Sequence, residues 1–149
     1  MVAGGSVLAG LVATAIVQSW LDVVGGDWLV NAGVLSLLVL AVASVVAGLA
    51  SLFGKAGALA GALTMVFVGN PFSAVASGPE MLPSPAGAIG QLLPPGAGGN
   101  LLRSTGFFDA AAAGGHVAVL AAWALAGLAC VAIAALPRVV RPMRVGAAV

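Results

Sequence analysis

Apolar residues run along this chain in long unbroken stretches, and polar residues come between them as punctuation. A helix needs about 20 largely apolar residues to cross the roughly 30 Å hydrocarbon core of a bilayer. Four stretches meet that requirement, at about residues 2–21, 29–53, 57–77 and 117–136. Asp22 to Asp27, which contains the turn signal Gly25-Gly26, separates the first two. Trp20 and Trp28 bracket this connection, as expected for rings that prefer the membrane–water interface. The four residues Gly54-Lys55-Ala56-Gly57 join the second stretch to the third, which predicts an antiparallel hairpin. Proline removes a backbone donor and disfavours helical geometry in the residue before it. The third stretch is therefore expected to kink or break at Asn70-Pro71.

The segment from Gly78 to Gly115 breaks the pattern. It holds Pro79, Pro83, Pro85, Pro94 and Pro95 and the run Gly96-Ala97-Gly98-Gly99. Ser84-Pro85 reads as a cap followed by proline at a first helical position, opening a short helix over 85–93. Asn100 is a candidate cap for a second, over 101–108. Both are too short to span. The segment over about 79–108 is expected to form two short helices that re-enter the membrane or lie on its surface, with an ordered external loop as the alternative.

Composition agrees with this picture. Of 149 residues 62% are hydrophobic and only 6% charged, against about 25% charged in a typical soluble domain. The expected fold is therefore all-α: a polytopic membrane bundle in one domain, with four transmembrane helices and two short helices between the third and fourth. The net charge of +1 offers no footprint for nucleic acid. Cys130 stands alone inside an apolar run, which excludes a disulfide framework. No Lys or Arg precedes the first apolar stretch, so it reads as a retained helix and not a signal peptide. The absence of a polar lead suggests a fragment or one half of something larger.

The charges sort by sign. Asp22, Asp27, Glu80 and Asp109 lie in connections that share one side of a four-span arrangement. Lys55, Arg138, Arg141 and Arg144 lie on the other side. Basic residues mark the cytoplasmic side, so both termini are expected in the cytoplasm and the chain in the inner (plasma) membrane. Arg103 is the exception. A lone arginine near the membrane needs a partner or a route to water, and Glu80 and Asp109 are the candidate partners, with snorkelling to headgroups as the alternative.

The order of these features resembles the C-terminal membrane region of ABC-2-type export permeases and the related YhgE/Pip-like membrane proteins. The residues that carry the resemblance are Asn70-Pro71, Pro79-Glu80-Met81-Leu82-Pro83, Gln91-Leu92-Leu93-Pro94-Pro95 and Leu101-Leu102-Arg103. The resemblance covers roughly residues 57–136. It implies a pair of proline-led re-entrant helices on the outer side, a second permease chain as homo- or hetero-oligomeric partner, and a separate ATPase subunit. It also makes Asn70, Pro71, Glu80, Pro94, Pro95 and Arg103 structural or gating candidates, to which the candidate pairing with Arg103 adds Asp109. The chain has no G-x-x-x-x-G-K-[ST] phosphate loop of its own. It has four predicted spans where family members usually have six, and it lacks their N-terminal amphipathic helix and large external domain. The expectation is a partial or half-permease for an apolar or amphipathic substrate. A non-transporting accessory or scaffold subunit is the alternative.

An enzyme is not expected. One His, one Cys and four separated acids assemble no nucleophile–base–acid set, and nothing suggests a metal or cofactor. His116 is expected to anchor at the interface. Thr14, Gln18 and Ser19 are expected to pack helix against helix, as is the Ser6/Gly10 small-residue pair. A pore built by oligomerisation would need more polar lining than Thr14, Gln18, Ser36, Ser44 and Thr64 provide.

Overall fold

A computed structural model describes residues 2–75, 78 and 81–139. The fold is all-α. Its elements are α1 (Val2–Thr14) with a π-helical continuation (Ala15–Trp20), α2 (Trp28–Leu63) with a second π-helical turn (Thr64–Gly69), α3 (Asn70–Ser73), α4 (Ala86–Gln91), α5 (Pro94–Phe107) and α6 (Ala113–Val139). Three helical stretches are long and apolar enough to cross a membrane: Val2–Trp20, Trp28–Ser73 and Ala113–Leu136.

The middle stretch is 46 residues long, and a straight helix of that size would reach about 69 Å. It does not run straight. Gly54 interrupts it at φ 65°, ψ −143°, a conformation that side-chain-bearing residues essentially do not adopt. Beyond Gly54 the chain folds back on itself: Gly61 packs against Val46 and Leu49, and Gly57 against the Leu49 carbonyl. The reversal expected at residues 54–57 is thus present, and α2 consists of a descending arm (28–53) and a returning arm from residue 55. Asp27 starts the descending arm as an N-cap, its carboxylate accepting from the Val30 N–H at 2.9 Å.

Asn70-Pro71 neither stops nor sharply breaks the returning arm, which continues as α3 to Ser73. The π-helical turn Thr64–Gly69 stands immediately before the proline, and the Asn70 N–H closes a wide-turn bond to Met65. Widening the helix here accommodates the ring that would otherwise press on the preceding turn. The arm ends at Ala74, which takes a left-handed conformation (φ 48°). The expected third stretch extended to 77, where Ala76 and Ser77 lie outside the described residues.

α2 packs most extensively against α6 and α1, and α5 fits between α2 and α6. On α1 the buried positions Ser6, Gly10 and Thr14 form one stripe toward α2, so the small-residue pair in the sequence marks a real helix contact. On the other side of α2, Gly48 and Gly127 let two backbones meet: a methyl at Gly48 would stand 2.8 Å from the Gly127 oxygen. The core gathers Val34 and Ala41 of α2, Ala97 and Leu101 of α5, and Leu120 and Ala124 of α6. Large apolar side chains elsewhere point outward, among them Leu8, Phe53, Leu59, Phe67, Leu125 and Ile133. A molecule whose long helices are apolar on their outer faces as well is suited to hydrocarbon as its solvent. Among the described residues every buried side-chain N or O atom has a hydrogen-bond partner, as a chain without access to water requires.

Candidate functional site: a cleft at the inserted hairpin

The two short helices form a hairpin inserted among the long ones. α4 lies close to its expected bounds, but α5 does not. It begins at Pro94 and not at Leu101, and Gly96-Ala97-Gly98-Gly99, which reads as loop, is helical. Pro94 and Pro95 occupy the first helical turn, where a missing N–H costs nothing. The small residues that follow allow close approach to α2, with Leu38 against Gly98. Asn100 is consequently inside the helix, and its side chain serves another purpose.

The hairpin tip lies well along the length of α6, at the level of Trp123. Trp123 Nε1 donates to the Leu92 carbonyl at 2.7 Å, and Trp123 is ten positions after the start of α6, about 15 Å along it. From there α5 returns toward the end of the bundle that holds the Gly25-Gly26 connection. Thr105 Oγ1 donates to Asn31 Oδ1 at 2.7 Å. Asn31 is fully buried, and its Nδ2 donates to Gln18 Oε1 at 2.9 Å and to the Gly25 carbonyl at 2.7 Å. Gln18 Nε2 donates in turn to the Gly26 carbonyl at 2.8 Å. One amide thereby joins the π-helical end of α1, the first connection, α2 and α5.

A second polar chain ties the hairpin to the end of the returning arm. Arg103 Nη1 donates to Asn100 Oδ1 at 2.8 Å, and Nη2 donates to the Val75 carbonyl at 2.9 Å. Asn100 Nδ2 donates to Gln91 Oε1 at 2.6 Å, and Gln91 Nε2 to the Ser73 carbonyl at 3.3 Å. Both of these Arg103 contacts are neutral. Asp109, expected as a partner, is exposed in the turn before α6 with φ 49° and does not accept from Arg103. Glu80 lies outside the described residues, as do Arg141 and Arg144.

Between the hairpin, the returning arm and α2 lies a cleft of about 730 Å³. α2 contributes Leu38 and Val42; the returning arm contributes Asn70 and Pro71, with Val75 just beyond its end; α5 contributes Pro95 and Leu102. The structure therefore brings Asn70, Pro71 and Pro95 together on one wall and sets Arg103 at its rim, bonded to a wall residue. Pro94 is fully buried behind the wall, and Asp109 takes no part. The sequence gives Asn31 and Thr105 no role, and Gln91 enters there only as part of the resemblance. A lone amide in the apolar run 29–53 was the available signal for Asn31, because polar groups in such runs seek partners on other helices.

The cleft offers apolar walls, two prolines and a cation at its rim. Among the described residues no group of three or more His, Cys, Asp or Glu side chains could hold a metal ion. The arrangement can hold apolar groups and orient an anion. Fold and site together define a multi-pass α-helical protein suited to a membrane. No protein-family model, curated protein or solved structure matches the chain.

Proposed function

We propose that this chain is a permease-type subunit of an ABC-2-like export system in the inner (plasma) membrane, a partial or half-permease that works with a second permease chain and a separate ATPase. In this reading the helices cross the bilayer four times, because the two arms of α2 each supply one crossing and meet at Gly54-Lys55 on the cytoplasmic side. Both termini then share that side, and the basic residues after the last crossing agree with it. The observation that carries the reading is the hairpin α4–α5. At 14 residues α5 reaches about 21 Å, short of the roughly 30 Å hydrocarbon core. Its first turn lies near the mid-depth of α6 and its last turn at the Gly25-Gly26 end, so it re-enters from the outer side. Irregular backbone at membrane depth is tolerated where protein satisfies its polar groups, and here Trp123 donates to the Leu92 carbonyl at the turn.

The reading is tested by purifying the tagged full chain from its native membrane in mild detergent. The expected result is a stable complex with a nucleotide-binding subunit whose ATPase rate changes when Pro94-Pro95 is replaced by Ala-Ala. A complex that lacks such a subunit, or an ATPase rate that the replacement leaves unmoved, would favour the non-transporting accessory role instead.

A further inference from the structure

We propose that the cleft between α2, the returning arm and α5 binds one anionic membrane amphiphile, with its acyl chain in the cleft and its headgroup on Arg103. The inference rests on the membrane placement above and names the ligand class of that site. The volume of about 730 Å³ falls in the range of roughly 300–1,000 Å³ usual for small-molecule sites. Its walls are mainly aliphatic and proline surface, and the neighbouring side chains Phe67 and Phe72 face outward. A cleft of this kind in hydrocarbon fills with chain and not with water, because water needs two to four polar partners to settle.

The depth of the cleft fits one leaflet. Pro95 and Arg103 are eight positions apart on α5, about 12 Å along the axis, against roughly 15 Å for half of the hydrocarbon core. A chain that reaches Pro95 therefore ends in a headgroup at the level of Arg103. The guanidinium there is half-buried and held by Asn100 Oδ1 and the Val75 carbonyl. These bonds fix its plane, use two of its five N–H donors and leave its charge uncompensated by either contact. A fixed planar fork of this type suits phosphate or carboxylate.

The test uses the full chain reconstituted in phosphatidylcholine vesicles. The probe is phosphatidylglycerol carrying a photoreactive diazirine on its acyl chain, or phosphatidylcholine carrying the same chain. We expect crosslinks at Leu38, Val42 or Leu102, with about a fivefold preference for the anionic probe, the worth of one basic residue against anionic lipid. Arg103→Gln should bring the two probes to parity, while Arg103→Lys should keep most of the preference. Val42→Trp, which fills the cleft, should remove the crosslinks of both probes. Equal labelling by both probes in the unaltered chain would overturn the proposal. So would a preference that survives Arg103→Gln, or crosslinks at Val42 to a second copy of the chain instead of lipid. Resistance to alkaline extraction is measured on the same vesicles: loss of the chain there counts against the membrane reading itself, whereas a retained chain with an unlabelled cleft counts against this site alone.

Discussion

Breaking the bond between Asn31 and Thr105 tests whether α5 is docked at its Gly25-Gly26 end. The two residues are 74 positions apart, both are buried, and the hydroxyl donates at 2.7 Å. Hydrogen bonds between helices in a membrane average about 0.6 kcal/mol and reach about 1.7. Asn31→Ala removes three hydrogen bonds, two of them between helices. The Thr105 hydroxyl retains the carbonyls of Leu101 and Leu102 at 3.2 and 3.3 Å, and Gln18 Nε2 retains the Gly26 carbonyl, whereas Gln18 Oε1 and the Gly25 carbonyl both lose the Asn31 donor. The expected loss is about 2–3 kcal/mol. Thr105→Val keeps the shape and should cost about 0.6–1.7 kcal/mol. The double variant should then show a coupling of about 0.6–1.7 kcal/mol, measured by denaturant unfolding in micelles. Additivity to within about 0.3 kcal/mol, the behaviour of independent sites, would refute the contact.

Four further substitutions follow from the structure. Gly127→Leu drives a side chain into the Ser44 carbonyl where α2 and α6 touch, and should lower stability by about 3 kcal/mol or prevent folding, read as the melting temperature in detergent. Gly54→Ala should cost about 1–3 kcal/mol through backbone strain alone, since nothing lies within 4 Å of the added methyl. By contrast Gly33→Ala, also in open space but helical, should raise stability by about 0.5–1 kcal/mol, both read by the same unfolding assay. Trp123→Phe removes the donor to Leu92 at the hairpin tip and should speed amide hydrogen exchange around residues 92–93 while leaving exchange in α1 unchanged.

The long helices were legible because runs of about 20 apolar residues have few other uses. The reversal at Gly54 was legible because glycine and lysine interrupt such a run together. The start of α5 was not. Gly96 to Gly99 read as loop by intrinsic preference, and only the close approach to Leu38 explains their helical state. The π-helical turn before Pro71 has no pattern of its own in the sequence. Asn70, Pro71 and Pro95 are candidates from the sequence and meet on one wall, whereas Asp109 does not accept from Arg103 and Glu80 lies outside the described residues. Counting charges offers only carboxylates as partners for Arg103; that Asn100 Oδ1 and the Val75 carbonyl accept from it follows from α5 beginning seven residues earlier than expected.

Sidedness is the most direct check on the central claim that each arm of α2 crosses the bilayer. In a Cys130→Ser background, single cysteines replace Val23, Lys55, Met81 or Ala111, all exposed, and intact cells are treated with a membrane-impermeant maleimide. Labelling of the cysteines at 23, 81 and 111 from outside, with that at 55 reacting only after permeabilisation, is the expected result. Reaction of the cysteines at 55 and 111 from the same side, or recovery of the chain as a soluble monomer without detergent, would contradict it.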